Sequence, residues 1–541
     1  MKISRRAALG AGALGAGALG LGAIGWSWGD APDISSELSG ADFARGHRLR
    51  DGAFPEPSRT ERRGIVIAGG GIAGLAAGWA LAEAGIGDFA LLELEDDVGG
   101  NARGGRNAIS AYPLGAHYLP VQNRESRAII HLLEKLGMVT GRDAAGRPIY
   151  DPLQLCADLD ERILWQGKWH EGLVPSTGLS DGDVADLTAF NAAMAQFQAA
   201  VGADGRPAFA LPIAYSSADD AYRALDRIDF ASWLRQQGWT SPILWGHVRY
   251  ATRDDYGCEP EHVSAWAGIH YFAGRRGWAA NGAGDGLLTW PEGNARLARA
   301  MAARFADNIA RGAIVWRVAR DGAGIAVDRF DVARGESVRT HARAAILATP
   351  HFLSARFAPE LVPQTSGFSY APWIIANVSL TRPPTGPGSA LAWDNVTFVG
   401  ESLGYVVANH QTRALGPLAS VVTWYMPLSR MEPADARRLL LERDGGAWRD
   451  IVVADLLRSN PDLAGAITHV ALWRWGHAMI RPTPGFVHGI APAARAAVHA
   501  PLFLAHSDLS GLSLFEEAHY RGTQAAEAAM RHIGHDFESL L

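Results

Sequence analysis

Three glycines and one acidic residue near the start of the chain have the types and the spacing that a dinucleotide site needs. Gly69, Gly71 and Gly74 directly follow the apolar run 65–68, and Glu93 comes about 20 residues later. In such a pattern the first glycine permits a tight turn, the second lets the backbone approach a pyrophosphate, and the third lets a helix pack on the preceding strand. The helix N-terminus stabilises the phosphates, and the acid binds a ribose hydroxyl.

A strand, a helix and a second strand must position these residues, and the sequence supplies all three in order. Residues 65–68 predict a buried strand, residues 75–84 a helix, and residues 89–93 a second strand. Ile72 and Ala73, at the helix N-terminus, are predicted to contact the cofactor as well. A glycine fingerprint alone is a weak signal, but the full order of elements predicts a dinucleotide-binding unit.

The segment that follows the second strand resembles a known group of flavoproteins. Glu93 to Gly100 is similar to the acid, spacer and Gly-Gly stretch of the amine oxidase, protoporphyrinogen oxidase and phytoene desaturase superfamily. Further pieces of the superfamily pattern follow in chain order at 112–117, 290–294, 344–350 and 502–508. The resemblance spans most of residues 63–541 and implies FAD rather than NAD. The chain has two cysteines, Cys156 and Cys258, and neither lies where the superfamily attaches flavin, so the resemblance implies non-covalent FAD.

The same resemblance implies FAD contacts from several parts of the chain. It implies that the backbone of Val315 meets adenine and that Asp508 holds the ribityl chain. The helix from about Phe515 to Met530 is implied to direct its N-terminus at the isoalloxazine ring. The remaining contacts implied by the pattern come from Gly100, Asn101, Gly115, Ala116 and His117.

Length and composition favour two interleaved domains. A chain of 541 residues exceeds what one hydrophobic core usually serves, and its net charge of −6 argues against a nucleic-acid partner. We predict an α/β fold in which a Rossmann-like FAD-binding domain, a parallel sheet with helices, is interleaved with an α+β substrate domain. The FAD-binding domain is assigned residues 63–130, 285–350 and 466–541, the substrate domain residues 131–284 and 351–465, and a linker or surface arm residues 31–62.

The first 30 residues match the layout of a twin-arginine signal. Ser4 to Leu9 contains the arginine pair, and an uncharged stretch rich in alanine, glycine and leucine continues to Gly29. That route carries folded proteins, which suits a flavoprotein because it must fold around its cofactor before export. We expect a periplasmic or other extracytoplasmic protein that meets the twin-arginine translocation machinery. About 20 uncharged residues can also cross a bilayer, so an uncleaved N-terminal membrane anchor is the alternative.

Three residues are candidates for direct action at the flavin. The family pattern implies that His117 lies near the ring, where a histidine acts as a base or orients a substrate. Trp475 and His477 precede the last FAD strand, where amine oxidases place an aromatic residue facing the flavin. Packing against the cofactor or within the core is the alternative for all three.

Four further residues are candidates for the substrate cavity. Asp254 or Asp255 is placed to attract a cation, with Tyr271 in the same wall. The alternative is an internal ion pair between Arg253 and one of these aspartates, with the aromatic residues as packing. Tyr425 alternates with the preceding tryptophan on a predicted strand, so at most one of the two faces the cavity.

The sequence also departs from the amine oxidase pattern. These oxidases commonly hold a lysine that binds a water against flavin N5, whereas the lysines here are Lys2, Lys135 and Lys168, none in a matching segment. Asn101 replaces the arginine that usually follows the Gly-Gly pair, and no paired C-terminal aromatic cage is evident. The FAD prediction does not depend on any of these positions, but the usual lysine–water arrangement cannot be assumed.

The resulting hypothesis is an FAD-dependent oxidoreductase that passes a hydride from a small-molecule substrate to flavin N5. An amine, including a polyamine drawn by Asp254 and Asp255, is the first substrate class. The alternatives are a desaturase or isomerase of an apolar, membrane-derived molecule, and a non-catalytic, FAD-stabilised partner of an envelope assembly. The sequence predicts no metal site and leaves the electron acceptor open.

Overall fold

The computed structural model describes residues 34–411 and 419–541 of the chain. The predicted twin-arginine signal therefore lies outside the described residues. None of the helices in the described ranges combines the length and the apolar character needed to cross a membrane.

Helices cover the nucleotide unit, the middle of the chain and its end. The α-helices of the described residues are α1 (Phe43–Asp51), α2 (Ile72–Glu83), α3 (Arg127–Lys135), α4 (Asp181–Ala199), α5 (Asp220–Arg223), α6 (Phe230–Gln236), α7 (Pro242–Tyr256), α8 (Ala265–Ala273), α9 (Ala295–Ala303), α10 (His351–Phe357), α11 (Pro433–Glu442), α12 (Gly445–Ser459), α13 (Ala491–Ala496) and α14 (Phe515–Ile533).

Within residues 34–411 and 419–541, strands form two large sheets and three two-stranded sheets. They are β1 (Ser35–Gly40), β2 (Arg59–Ala68), β3 (Phe89–Leu92), β4 (Gly104–Arg106), β5 (Ala111–Pro113), β6 (Tyr118–Pro120), β7 (Val139–Arg142), β8 (Pro148–Tyr150), β9 (Glu161–Trp165), β10 (Lys168–Glu171), β11 (Leu287–Thr289), β12 (Ile309–Ala310), β13 (Ala313–Asp321), β14 (Gly324–Asp331), β15 (Glu336–Leu347), β16 (Tyr370–Leu380), β17 (Asp394–Thr397), β18 (Gly404–Val407), β19 (Ser420–Pro427), β20 (Ile467–Ile480) and β21 (Leu502–Leu504).

The first large sheet holds the glycine loop. Its order is β12-β3-β2-β15-β14-β13, with β21 beside the end of β15. The strands β3, β2, β15 and β21 pair in parallel, because helix α2 carries the chain back between β2 and β3. Both faces of this parallel centre are covered, so residues 65–68 and 344–347 are buried. The α/β prediction with a Rossmann-like nucleotide unit is confirmed.

The second large sheet separates a helix-packed face from the face that borders the substrate cavity. Its order is β1-β20-β16-β19-β18-β17-β9-β10. Along β16, Ile374 and Ala376 pack toward α11 and α12, whereas Trp373 and Ile375 point the other way into an aromatic cluster with Tyr425. This alternation follows from the two-residue repeat of a strand. It places Tyr425 of β19 on the cavity side and the preceding tryptophan on the helix side.

The segment that the sequence predicts as a linker or surface arm contains regular structure. Residues 35–40 form β1, which pairs in parallel with β20 in the register Leu38 to Leu472, and α1 follows. The strand lies at the edge of the sheet and alternates between exposed and half-buried residues. Its hydrogen bonds go to backbone groups of β20, so the pairing needs no apolar run that the sequence would reveal.

Candidate active site

The glycine loop has the geometry that its sequence predicts. Gly69 has a positive φ of 103° and donates its N–H to the carbonyl of Leu92 at 2.8 Å. A Cβ at Gly74 would lie 1.9 Å from the carbonyl oxygen of Gly69, so only glycine lets α2 start this close to the turn. A Cβ at Gly71 would meet no atom within 4 Å. The loop is therefore closed toward the sheet and open on the side where a pyrophosphate would approach.

Glu93 fastens this loop to the next one. Its carboxylate accepts the N–H of Gly70 at 2.6 Å and that of Glu95 at 2.8 Å. Gly99 donates its N–H to the carbonyl of Gly70 at 2.8 Å, which brings the Gly-Gly pair against the first glycine loop. Burial raises the pKa of Glu93, and the two backbone donors act in the opposite direction. The predicted ribose acid is thus fixed at the mouth of the cradle.

The cradle continues along the segments around residues 100 and 115. Gly100 packs on the backbone of Gly71, and Ala116 donates its N–H to the carbonyl of Asn101 at 2.9 Å. The side-chain amide of Asn101 donates to the carbonyl of Ala478 on β20. Asn101 therefore joins the nucleotide unit to the second sheet, without the guanidinium that the family pattern has at this position.

Asp508 lies in the buried interior beyond the cradle. Its Oδ2 accepts the hydroxyl of Tyr370 at 2.5 Å and the N–H of His351 at 3.0 Å. Its Oδ1 receives no hydrogen bond from the described residues, although Nδ1 of His506 lies 2.8 Å away. Burial alone would raise the pKa of Asp508, but His506 and the two donors lower it overall. One carboxylate oxygen thus remains for a ligand hydroxyl such as that of a ribityl chain.

Helix α14 closes the cradle by packing on α2. A Cβ at Gly522 would lie 2.1 Å from the carbonyl oxygen of Ala73, so glycine permits this close crossing. Val315, on β13, lies two residues beyond Ala313, whose N–H bonds to the carbonyl of Glu93 at 2.8 Å. An extended dinucleotide requires a series of contacts, and the cradle offers them in the glycine turn, Glu93, the free Oδ1 of Asp508 and the N-terminus of α14. The residues present fit FAD.

A cavity of about 140 Å³ adjoins the N-terminus of α14. The predicted residues that line it are Asn101, Gly115, Ala116, His117, Asp254, Asp255, Tyr425, Trp475 and Phe515. The indole N–H of Trp475 donates to the carbonyl of Leu114 at 2.5 Å, which fixes that ring in the wall. Trp373 stacks at 6.4 Å on the ring of Tyr425. Aromatic rings thus form part of the wall, beside the charged residues Asp254, Asp255, Arg275 and Glu516.

Two neighbouring aspartates of α7 meet different partners in this cavity. Arg275 donates from Nη2 to both carboxylate oxygens of Asp255 at 2.9 Å. No described residue donates a hydrogen bond to Asp254, whose side chain faces the cavity. Burial, and then the nearby charges of Asp255 and Asp394, raise the pKa of Asp254 well above its usual range. Asp254 is thus the acidic group that a cationic ligand would meet.

Asp394 is held by two tyrosines behind the aromatic wall. It accepts the hydroxyl of Tyr250 at 2.9 Å and that of Tyr425 at 3.0 Å. Burial raises the pKa of Asp394 to about 6, and the two hydroxyl donors act in the opposite direction. This network fixes the hydroxyl end of Tyr425 and so the orientation of its ring.

His117 presents one free nitrogen to the aromatic wall. Its Nδ1 lies 3.0 Å from the carbonyl of Gly115, which can only accept, so Nδ1 carries the proton. Nε2 then keeps a lone pair amid the rings of Tyr118, Trp393 and Tyr425, all within 5.2 to 5.6 Å of the imidazole centroid. Burial lowers the pKa of His117 to about 4. A neutral imidazole with an acceptor nitrogen results.

Two predicted cavity residues take other places. His477 does not line this cavity and packs against Phe352, with ring centroids 4.9 Å apart. An irregular register between β16 and β20 just after Trp475 breaks the alternation that would have kept the two residues on one face. Tyr271 does not line it either, because the guanidinium of Arg275 covers its ring at 4.9 Å from the centroid.

The predicted alternative of an ion pair between Arg253 and an adjacent aspartate is wrong. Arg253 donates to Ser429 at 3.0 Å and lies 3.5 Å from a carboxylate oxygen of Glu259. Asp255 pairs instead with Arg275. Successive residues of a helix point in different directions, so direct neighbours do not face each other.

Three polar residues of the site have no local signature in the sequence. Arg275 follows α8 in a glycine-rich stretch, Asp394 begins a short strand, and Glu516 lies in the first turn of α14. Glu516 lines the cavity with Oε1 buried and without a partner among the described residues, and burial raises its pKa to about 7. Neither of the described lysines, Lys135 and Lys168, lines the cavity.

The fold and site define a flavoprotein oxidoreductase, and comparison with known proteins agrees. The family model of flavin containing amine oxidoreductases matches residues 72–450, so the chain belongs to that family. A protein of Mycobacterium tuberculosis named flavin-containing monoamine oxidase AofH is 27% identical over 311 residues, which cover 56% of this chain. The match spans only 60% of the length of that relative. Membership indicates a flavin cofactor.

Solved structures share the fold across most of the chain. Wild-type putrescine oxidase bound to putrescine aligns with a TM-score of 0.64 and 17% identity, covering 87% of this chain and 100% of that one. Cyclohexylamine oxidase from Brevibacterium oxydans IH-35A aligns with a TM-score of 0.62 and 15% identity, covering 87% and 99%. At such identities the likeness concerns the fold alone.

Proposed function

We propose that this chain is an FAD-dependent amine oxidoreductase that binds its FAD non-covalently. The observation that carries the proposal is Asp254, an acid that faces an aromatic cavity beside the cradle and receives no hydrogen bond from the described residues. Asp254 is half-buried, and a carboxylate partly removed from water and without a hydrogen-bond donor is stabilised by a cation such as an ammonium group. Arg275 is already paired with Asp255, so in this proposal the substrate brings the cation that pairs with Asp254.

Each wall of the cavity has a role in this proposal. Asp254 binds the ammonium group, and the faces of Tyr425 and Trp373 stabilise its positive charge and exclude water. The neutral His117 accepts a hydrogen bond at Nε2 and orients the nitrogen of the substrate. Bound FAD would supply the hydride acceptor for converting an amine to an imine, a conversion in which the carbon next to nitrogen gives up a hydride and the nitrogen gives up a proton.

The acids of the site favour an amine over an apolar substrate. Asp394 and Glu161 both contribute to the raised pKa of Asp254, and burial, followed by the charges of Asp394, Asp160 and Asp285, raises the pKa of Glu161 to about 8. An apolar molecule would leave Asp254 without a partner, whereas a diamine or polyamine offers a second positive charge for this group of acids. We therefore place polyamines within the proposed substrate class.

Anaerobic mixing of purified, FAD-loaded protein with amines tests this function. We expect putrescine, spermidine or cyclohexylamine to bleach the flavin absorbance, and we expect 1,4-butanediol and cyclohexanol, the alcohols matched to two of them, to leave it unchanged. An oxidised spectrum with every amine of a broad panel would remove this substrate class. A spectrum bleached equally by the alcohols would show that the charge of the nitrogen is not recognised.

Export by the twin-arginine route to the periplasm is part of the proposal. It is supported by the arginine pair at Arg5 and Arg6 and by the uncharged stretch that follows. Fusion of residues 1–33 to a reporter should direct the folded reporter to the periplasm, and replacement of both arginines by lysine should retain it in the cytoplasm. Export that persists in the lysine variant would contradict the assignment.

A further inference from the structure

Residues 41–57, here called the strap, lead from β1 to β2 and contact several segments that carry or adjoin residues assigned to the cofactor. The strap contains α1, which begins after the N-cap Asp42. No residue of α1 is fully buried, although its side chains and carbonyls make specific contacts at both ends. Helix α1 is therefore held in place by its polar contacts and not by burial in a hydrophobic core.

The first anchor of the strap is the turn directly after the ribose acid. Asp42 donates its N–H to Glu95 at 2.8 Å. Arg45 donates to the carbonyl of Leu94 at 3.1 Å and to both oxygens of Asp96 at 2.7 and 3.2 Å. The strap is thus fixed to the segment that also positions Glu93.

The second anchor is formed by α10 and β20. Arg356 of α10 donates to the carbonyls of Leu49 and Arg50 at 2.9 and 2.7 Å. Arg474 of β20 lies 5.8 Å from the ring of Phe43. Both α10 and β20 adjoin the buried Asp508, through the N–H of His351 and through the pairing of β20 with the strand that carries Tyr370.

A third contact covers the strand that carries Val315. The ring of Phe54 stacks on Trp316 at 5.6 Å, and the guanidinium of Arg48 lies 4.3 Å from the ring of Phe330 on the neighbouring strand. Every element that the strap touches therefore carries or adjoins a residue assigned to the cofactor.

We propose that the strap retains the cofactor, so that FAD leaves the cradle only when the strap detaches from the turn at residues 94–96. This inference rests on FAD binding but not on the identity of the substrate. The strap is a positioning element, because it acts by closing the cradle and not by touching the reacting atoms.

Release of FAD from the holoenzyme, measured by the rise of free flavin fluorescence after dilution, tests the strap. Arg45→Ala removes three hydrogen bonds of the first anchor and should speed release roughly five- to tenfold. Asp96→Asn, a change at an exposed side chain, should act in the same direction if Arg45→Ala fails to fold. Arg147→Ala, which breaks a comparable surface pair with Asp143, is the matched control and should leave release unchanged.

Hydrogen exchange supplies a readout that does not depend on turnover. The amides of α1 should exchange more slowly in the FAD-loaded protein than in protein stripped of FAD, because opening of the strap would require displacement from a filled cradle. Unchanged FAD release in folded Arg45→Ala and Asp96→Asn proteins, or identical exchange of α1 with and without FAD, would overturn the proposal. Neither result depends on whether any amine is oxidised, so failure of the proposed function is distinguishable.

Discussion

Replacement of Asp254 by asparagine keeps the size of the side chain and removes its charge. Asp254 receives no hydrogen bond from the described residues and lies in the cavity wall beside Asp255, so the proposed ammonium ligand would form a charged contact there. A hydrogen bond between charged groups contributes about 1.5–3 kcal/mol, which corresponds to a roughly 10- to 150-fold change in affinity. Asp254→Asn should weaken amine binding within that range.

Rapid anaerobic mixing over a range of amine concentrations separates binding from hydride transfer. The apparent Kd should rise in Asp254→Asn, whereas the limiting rate of flavin reduction should change much less because the reacting carbon is positioned by the aromatic walls. Since the pKa of Asp254 is raised, its negative charge is gained as pH rises. Amine affinity of the natural protein should therefore increase with pH until the amine itself loses its proton, and the variant should lack this increase.

A matched surface change controls for the loss of charge. Asp220→Asn removes one negative charge at an exposed position of α5 and should leave both the Kd and its pH dependence unchanged. If Asp254→Asn keeps the affinity and the pH profile of the natural protein, the assignment of Asp254 to the ammonium group is wrong. Loss of bound flavin in this variant, seen as a lower ratio of 450 to 280 nm absorbance, would likewise contradict a role confined to the substrate.

Three further changes test the cradle and its surroundings. Gly71→Trp should purify without yellow colour, because its side chain fills the open side of the loop. Gly522→Ala should destabilise the protein by about 1–3 kcal/mol, since the new methyl group meets the carbonyl of Ala73, and thermal unfolding would show it. Burial raises the pKa of Glu516 to about 7 from an ordinary value of about 4.3, so the natural protein should lose stability as pH rises between those values. Glu516→Gln should remove that loss, seen as a gain in Tm over the natural protein that is larger at pH 8 than at pH 5.

The nucleotide unit could be predicted from the sequence because its determinants are local. Gly69 directly follows β2, Gly74 lies in α2, and Glu93 directly follows β3. Their roles follow from backbone geometry. The helix that begins at Phe515 could be predicted for the same reason, because its determinants are also local in the sequence. Each of these features depends on neighbours within about 25 residues, which sequence patterns represent well.

The cavity could be predicted only in part, because its residues come from distant elements. The sequence singled out Asp254 as an acidic residue. It lacks a hydrogen-bond donor because Arg275 pairs with Asp255 instead, and no sequence spacing predicts which of the two aspartates Arg275 binds. His477 was assigned to the cavity because amine oxidases place an aromatic residue facing the flavin in this segment, but an irregular register between β16 and β20 turns it away. The edge strand β1 was missed because its ladder depends on backbone groups of a strand 434 positions away, which leave no pattern in the local sequence.

The pairing of β1 with β20 joins a segment that is synthesised early with one that is synthesised late. Ser35 meets His469, 434 positions later, so the amino-terminal strand has no partner until nearly the whole polypeptide has left the ribosome. The segment directly before β1 carries the predicted address for translocation. A nascent or truncated product that lacks β20 would therefore leave β1 without its strand partner.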